Sequence, residues 1–161
     1  MSLDGKGLFK SVGLIVILLA FAPGPAAAQD KSIAAQEASL SRFLDKKGGY
    51  RDQHGGYFDP KAQTYTDEKA GVLDNWDGYT YKDGSYKTQY GDYYDAPKRE
   101  FHLSNGEIMK LDAGLTNADA IKALRETVAD AGGFDKDFIR KAMIGTIAKE
   151  HPADAPASKK K

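Results

Sequence analysis

The chain has 161 residues, with 23 basic side chains, 23 acidic side chains and no cysteine. The balanced charge excludes the strongly basic surface typical of nucleic-acid binding. The missing cysteines exclude a disulfide framework, a cysteine zinc site and a lipid attached to cysteine. The length suits a single globular domain.

Residues 1–28 have the organisation of a secretory signal peptide. Lys6 and Lys10 form a positive segment, residues 12–22 are apolar, and the alanines at 26–28 offer a small-residue cleavage site. An apolar stretch of about eleven residues is shorter than the roughly 20 that span a bilayer. We therefore expect cleavage after Ala28, a periplasmic or secreted location, and no membrane-spanning segment in the mature chain.

Helical periodicity appears first in residues 29–47. Apolar residues recur there on one stripe, with charged residues elsewhere, and two glycines follow at 48–49. The pattern predicts an amphipathic N-terminal helix that the glycines terminate. The apolar positions are Ile33, Leu40, Phe43 and Leu44.

Residues 116–150 predict two further helices, arranged as a C-terminal helical hairpin. Thr116 or Asn117 can cap the first helix, and glycines at 132–133 end it. The second helix begins near Asp135 and ends before Pro152. Because short helices are not stable alone in water, we expect both to cover a sheet. Residues 152–161, rich in Pro, Ala and Lys, are expected to form a disordered, solvated tail.

Residues 48–111 predict a β-sheet. All nine tyrosines and the one tryptophan lie between residues 50 and 94, in short segments separated by turn residues. Three or four extended residues make a short strand, and Asp, Asn, Gly and Pro then bend the chain back. The tract therefore predicts a Tyr-rich antiparallel meander. Together with the helices it defines one α+β domain over residues 29–151.

Two dipeptides in this tract predict tight hairpins. The pair 83–84, Asp-Gly, suits a two-residue turn. Such a turn pairs Tyr81 with Tyr86 and places Tyr79, Tyr81 and Tyr86 on one side of the sheet. The Asn-Gly pair at 105–106 predicts a second hairpin with an apolar face for the helices to cover. The members of that face are Phe101, Leu103 and Ile108.

The repeated Tyr-x-Asp pattern, as at Tyr57 and Asp59, has two interpretations. In the structural one, Tyr favours the strand and Asp starts the turn by bonding its own backbone. In the functional one, aligned tyrosines form a surface that stacks on sugar rings or contacts another protein. The protein is then a non-catalytic binding or structural module whose partner is an envelope polysaccharide or another envelope protein. The predicted contacts are Trp76, Tyr79, Tyr81 and Tyr86, with Tyr57 and Tyr65 behind them.

Two alternative functions stay open at this point. A calcium-stabilised structural or assembly protein would use carboxylate ligands, although their spacing departs from the EF-hand pattern. A hydrolase of envelope polymers would use a pair of carboxylates whose separation the sequence does not define. Scattered histidines and the lack of nucleophile-elbow and phosphate-loop motifs predict no zinc site and no cofactor. The weak calcium candidates are Asp67, Asp74, Asp77 and Asp83.

Overall fold

The computed structural model describes residues 26–152 of the chain. Residues 1–25 of the predicted signal peptide and residues 153–161 of the predicted tail lie outside the described residues. The helices are α1 (Ala26–Ser39), a short 3-10 helix (Ser41–Phe43), α2 (Asn117–Asp130) and α3 (Phe138–Glu150). The strands are β1 (Tyr50–Arg51), β2 (Tyr57–Asp59), β3 (Thr64–Thr66), β4 (Val72–Asp74), β5 (Tyr79–Thr80), β6 (Tyr86–Lys87), β7 (Tyr93–Asp95), β8 (Glu100–His102) and β9 (Ile108–Lys110).

The nine strands form one antiparallel sheet in which each strand pairs with its neighbours in sequence. This confirms the predicted α+β fold, with a Tyr-rich meander, one N-terminal helix and two C-terminal helices. None of the helices in the described range combines the length and the hydropathy needed to cross a bilayer. Because each strand has only two or three residues, the loops must contribute much of the order of the sheet.

Most strand connections are three-residue loops built in the same way. In the connection 81–85, the Tyr81 N–H donates to the Ser85 carbonyl and the Gly84 N–H donates to the Tyr81 carbonyl. Gly84 has a φ of +87°, in the left-handed region that glycine tolerates. This is a three-residue loop with a left-handed residue at its third position, a common hairpin connection. The same pair of bonds closes the loops 45–49, 52–56, 67–71, 74–78, 88–92 and 103–107.

This loop geometry shifts the register predicted from Asp83-Gly84 by one residue. Tyr86 pairs with Thr80 rather than with Tyr81. A one-residue shift moves a side chain to the other face of the sheet. The expectation that Tyr79, Tyr81 and Tyr86 share one side is therefore wrong, because glycine occupies the third position of a longer loop.

The hairpin at 103–107 differs from its prediction for the same reason. His102 pairs with Ile108, and Leu103 closes the loop. The Ile108 side chain is 61% exposed, so it is not covered by a helix. Phe101 projects from the opposite face and packs in the core beneath α2. The predicted apolar face of Phe101, Leu103 and Ile108 does not form.

The N-terminal helix ends earlier than predicted. Its last residue is Ser39, and the 3-10 helix Ser41–Phe43 then leads into the first of the repeated loops, 45–49. There the Asp45 carboxylate accepts hydrogen bonds from the backbone N–H groups of Lys47 at 2.8 Å and Gly49 at 2.9 Å. The predicted extension to residue 47 is wrong because this side chain offers the backbone an alternative to a helical turn. From the predicted stripe, Ile33 and Leu40 are buried, and Phe43 and Leu44 are partly buried against the same core.

The register defines two faces of the sheet, because directly paired residues project to the same side. Face A carries Tyr50, Phe58, Tyr65, Leu73, Tyr79, Lys87, Tyr93, His102 and Ile108. Face B carries Arg51, Tyr57, Thr66, Val72, Thr80, Tyr86, Tyr94, Phe101 and Met109.

The helices cover opposite faces in the two halves of the sheet. Helices α1 and α3 pack on face A over the first strands, in a core that contains Tyr50 and Phe58. Helix α2 packs on face B over the later strands, in a second core that contains Tyr86 and Tyr94. The two C-terminal helices therefore straddle the sheet instead of forming one covering layer. As a result, face A of the later strands, β5–β9, carries none of the described helices.

The connection between α2 and α3 passes around the end of the strands at loop 74–78. Buried Asn75 donates from its side chain to the Lys136 carbonyl at 2.9 Å and accepts the Ile139 N–H at 3.2 Å. At the start of α2, Thr116 and Asp119 form a capping box, so of the two candidate caps, Thr116 and Asn117, the cap is Thr116. Specific hydrogen bonds thus define the start of α2, at its capping box, and the start of α3, at Asn75.

An Asp-Gly-Tyr unit recurs along the first half of the sheet. The Asp begins a loop and accepts two backbone N–H bonds on Oδ1, the Gly ends the loop, and a later Tyr donates its hydroxyl to Oδ2. In one unit, Asp67 accepts from the N–H groups of Lys69 and Gly71 at 2.8 Å and from the Tyr79 hydroxyl at 2.5 Å. The units are Asp45–Gly49–Tyr57, Asp52–Gly56–Tyr65, Asp67–Gly71–Tyr79 and Asp74–Gly78–Tyr86.

Glycine is required in this unit because the tyrosine ring lies where a Cβ atom would be. A Cβ on Gly71 would stand 1.7 Å from Tyr79 Oη. The corresponding Tyr Oη distances at Gly49, Gly56 and Gly78 are 2.2, 2.1 and 1.8 Å. The Tyr, Gly and Asp content of the tract is therefore structural in origin at these positions.

The unit shifts the pKa values of its members in opposite directions. The Tyr79 hydroxyl and two backbone N–H groups lower the pKa of Asp67 below its usual value. The bond to Asp67, followed by burial, raises the pKa of Tyr79 to about 12. Burial and the bond to Asp52 likewise raise the pKa of Tyr65 to about 12. The carboxylate and the neutral phenol thus stabilise each other.

Replacing Gly71 with Ala should lower the free energy of unfolding by about 1–3 kcal/mol, because the new methyl group overlaps the Tyr79 ring. Gly114→Ala is the matched control, since a Cβ there meets no atom within 4 Å, and it should change stability by less than about 0.5 kcal/mol. Urea denaturation of both variants measures the difference. Equal stability of the two variants would contradict the role of the ring.

Stability should fall at both extremes of pH. The lowered pKa of Asp67 means that its contribution is present above the unfolded value, about 3.9, and is lost as pH falls through the folded value. The raised pKa values of Tyr65 and Tyr79 mean that their contribution is complete below 10 and is lost as pH rises from 10 to about 12. Denaturation midpoints across the pH range test both arms. The Tyr79→Phe variant should show a weaker alkaline loss, and an unchanged alkaline arm in that variant would contradict the assignment.

Candidate binding surface

The tyrosine hydroxyls divide into bound and free groups. Six are bound: four by the carboxylates of the Asp-Gly-Tyr units, the Tyr50 hydroxyl by Glu150, and the Tyr94 hydroxyl by Asn117 at 2.7 Å. Over residues 26–152, three hydroxyls have no hydrogen-bond partner. These belong to Tyr81, Tyr90 and Tyr93.

Tyr81, in loop 81–85, and Tyr93, in β7, occupy the Asp and Tyr positions of a variant of the Asp-Gly-Tyr unit. Tyr81 stands where the units have Asp, and Ser85 stands where they have Gly. Tyr93 follows Tyr81 by twelve residues, as Tyr57 follows Asp45. Because no carboxylate is present, the two rings meet edge to face at 6.1 Å and both hydroxyls stay free. A position that gives up a repeated structural bond is a candidate for function.

The aromatic row, defined as Tyr79, Tyr81, Tyr93 and His102, crosses strands β5–β8 on face A. Its rings are in continuous contact, with centroid distances of 4.8 Å from Tyr79 to Tyr81, 6.1 Å from Tyr81 to Tyr93 and 6.1 Å from Tyr93 to His102. Strand spacing gives the row a length of about 14 Å. Tyr81 is 40% exposed, and the other members are half-buried. The row is therefore a narrow, accessible band of rings.

The sheet beneath the row is well packed. Ser85, which ends the loop that Tyr81 begins, is fully buried, and its hydroxyl accepts the Ala96 N–H at 3.1 Å. On the opposite face, Tyr86 and Tyr94 are fully buried beneath α2. Rings supported in this way lose little conformational entropy when a ligand binds.

His102 ends the row with a polar group. Its Nε2 atom is buried, has no hydrogen-bond partner within residues 26–152, and lies 3.8 Å from Glu100 Oε2. Lys98 binds the neighbouring carboxylate of Asp95 at 3.0 Å and lowers its pKa. At this end of the row, Asp95 therefore lies beside Lys98 and Glu100 lies beside His102.

The other predicted contacts are dispersed. Tyr86 is fully buried and does not reach the surface. Tyr65 is partly buried in the core beneath α3. Tyr57 lies on face B of the first half, with the Arg51 guanidinium 5.6 Å from its ring centre. Of the six predicted contact residues, the structure brings only Tyr79 and Tyr81 together on the open part of face A.

Trp76 lies in a cluster that fastens α2 to the sheet. Arg125 contacts Asp74 Oδ2 through Nε at 2.8 Å and Nη2 at 2.6 Å, and its guanidinium lies 5.0 Å from the Trp76 ring centre. Burial opposes the charge on Arg125, but Asp74 and Tyr86 raise its pKa above the usual value. Trp76 also lines a groove of about 290 Å³ beside α2. The Asp74–Arg125 pair therefore joins α2 to loop 74–78 through a largely buried ionic contact.

The candidate calcium ligands are not brought together. Asp67 and Asp83 lie in loops at one end of the strands, whereas Asp74 and Asp77 share a loop at the other end. The carboxylates of Asp67 and Asp74 already bind backbone N–H groups and tyrosine hydroxyls. In the described part of the chain, no group of three or more acidic or histidine side chains is placed to hold a metal ion.

Two carboxylates line a cavity of about 340 Å³ between α3 and face A. Burial raises the pKa of Asp52, but bonds from the Tyr65 hydroxyl and two backbone N–H groups outweigh it and hold the pKa below the usual value. Glu150 accepts the Tyr50 hydroxyl and the Gln53 N–H. A general acid needs a raised pKa, which Asp52 does not have. Burial and Asp74 raise the pKa of Asp77, but Asp77 does not line this cavity.

Comparisons of the chain with protein-family models, with curated proteins and with solved structures find no match. The functional argument therefore depends on the geometry of the site.

The residues missed from the sequence are Tyr93 and His102. The sequence feature that could have identified them is the repeated spacing of Asp and Gly four residues apart, because this spacing predicts a three-residue loop between strands. That loop determines the register and therefore which side chains share a face with Tyr79.

Replacing Arg125 with Met should lower the free energy of unfolding by about 2–3 kcal/mol, because Asp74 is left buried without its cation. Lys122→Met is the matched control on the same helix, since the Lys122–Glu126 pair is exposed, and it should cost less than about 0.5 kcal/mol. Urea denaturation measures both. Similar small losses in the two variants would show that the buried link is not needed.

Proposed function

We propose that the protein is an exported, non-catalytic binding module whose aromatic row contacts an envelope polysaccharide. The observation that supports this is the pair Tyr81 and Tyr93, whose hydroxyls are free and whose loop gives up the repeated carboxylate bond. The proposal of export rests on the signal-peptide pattern of residues 1–28.

The chemistry of the row suits a sugar ligand. Tyrosine rings offer apolar faces and edges for the C–H groups of a sugar ring, and the free hydroxyls offer hydrogen bonds that orient it. The supported rings of Tyr79 and Tyr93 keep the entropy cost of binding low.

The size of the row also favours a polysaccharide over a protein partner. A stable protein interface buries about 800 Å² on each partner and engages about 20–30 residues a side. The aromatic row has four side chains in a band about 14 Å long. A narrow band of rings matches an extended chain of sugars better than a broad protein surface.

Replacing Tyr81 or Tyr93 with Ala should weaken retention on polysaccharide about tenfold, which corresponds to about 1.4 kcal/mol. Affinity electrophoresis in gels containing soluble polysaccharides and pull-down with peptidoglycan measure the retention. Tyr90→Ala is the matched control, because Tyr90 is 47% exposed, has a free hydroxyl and lies outside the row.

The control variant should bind as the unchanged protein does. Circular dichroism and thermal melting establish that each variant is folded. Full retention by folded Tyr81→Ala and Tyr93→Ala variants would overturn the proposal.

A further inference from the structure

Lys87 lies in the centre of the aromatic row. In the register of face A it pairs with Tyr79 on one side and with Tyr93 on the other. Its side chain is exposed. No carboxylate among residues 26–152 forms an ion pair with it. The row therefore carries an available positive charge between two of its rings.

Other basic groups around the row are also available. Lys82 lies in the loop next to Tyr81, and Lys110 projects from face A opposite Glu100. Both are exposed, and neither forms an ion pair in the described range. By contrast, Asp95 is bound by Lys98 at 3.0 Å. Glu100 and Asp83 are the carboxylates beside Lys110 and Lys82, whereas Lys87 is the one lysine, arginine or acidic residue in the register row Tyr79–Lys87–Tyr93–His102.

We infer that the polymer bound by the aromatic row is an anionic polysaccharide, and that Lys87 selects it by binding an acid group carried between two sugar rings. This inference rests on the proposed function and names its ligand class. Lysine suits the task because its ammonium is a compact charge with three donors on a flexible stem, which reaches an anion without a fixed geometry. Rings on either side then hold the neighbouring sugars.

The register also gives the direction of the polymer. Tyr79, Lys87, Tyr93 and His102 occupy successive strands, so they follow one another at about 4.8 Å across the sheet. A polymer that contacts all four must run across the strands. Lys87 therefore places one positive charge between the rings of Tyr79 and Tyr93, which matches an acid group carried between two sugar rings of the polymer.

Two polymers with the same backbone test the inference. Polygalacturonate is a chain of sugar rings with one carboxylate per ring, and its fully methyl-esterified form has the same rings without the charge. The full chain should be retained about tenfold more strongly by polygalacturonate in affinity electrophoresis. Raising the ionic strength should remove that preference, because salt screens an exposed charge.

Lys87→Gln should abolish the preference for the charged polymer and leave binding of the methyl ester unchanged. Lys61→Gln is the matched control, because Lys61 is an exposed lysine in a loop outside the row, and it should keep the preference. Tyr93→Ala should weaken the binding of both polymers.

The possible outcomes separate the inference from the proposed function. Equal binding of both polymers that depends on Tyr93 overturns the inference and leaves the proposed function standing. No retention of either polymer overturns the inference, and retention on peptidoglycan and soluble polysaccharides then decides the proposed function separately. Single-stranded DNA serves as a control polyanion, because its charges lie on a phosphodiester backbone and not on a chain of directly linked sugar rings. Tighter Lys87-dependent binding of DNA than of polygalacturonate also overturns the inference.

Discussion

The structure depends on the hydrogen bond between a tyrosine hydroxyl and an aspartate carboxylate of an earlier loop. Strands of two or three residues make few ladder bonds, and an isolated hairpin of this size is marginally stable. In unit Asp52–Gly56–Tyr65, one carboxylate satisfies two backbone N–H groups and the phenol of a later strand. Charge-assisted bonds of this kind are stronger than neutral ones. Each unit therefore links one hairpin to the next, and glycine is the residue that lets the ring approach.

The same repeat explains why one part of the sheet is available for binding. Where Tyr81 and Ser85 replace Asp and Gly, the Tyr93 hydroxyl has no carboxylate to bind, and the rings form a contact of their own. The helices leave this region open because α3 lies on face A of the first strands and α2 lies on face B of the later ones. The buried link from Asp74 to Arg125 holds α2 in that position. The aromatic row is thus a consequence of the Tyr81 and Ser85 substitutions in loop 81–85 and of the position of α2 on the opposite face.

Composition and periodicity predicted the fold class, the existence of the three helices and a cap at Thr116 or Asn117, because each depends on local chemistry. The strand register was not predicted, since Asp83-Gly84 is compatible with both a two-residue and a three-residue loop. The burial of Tyr86 and the exposure of Tyr81 depend on which face α2 covers, and this is tertiary information. His102 was missed because its place in the row follows from the register of two preceding hairpins. The repeated Asp and Gly spacing is visible in the sequence. Its structural role depends on a later tyrosine whose hydroxyl binds the Asp carboxylate, and that contact follows from the folded sheet.

A double-mutant cycle at Asp52 and Tyr65 tests the central claim most directly. Asp52→Asn keeps an oxygen for the two backbone bonds, and Tyr65→Phe removes the hydroxyl alone. The account predicts a coupling of about 1–2 kcal/mol in the free energy of unfolding, as expected for a bond to a charged acceptor. Two effects that add within about 0.5 kcal/mol would contradict it, because the hydroxyl and the carboxylate would then stabilise the sheet independently.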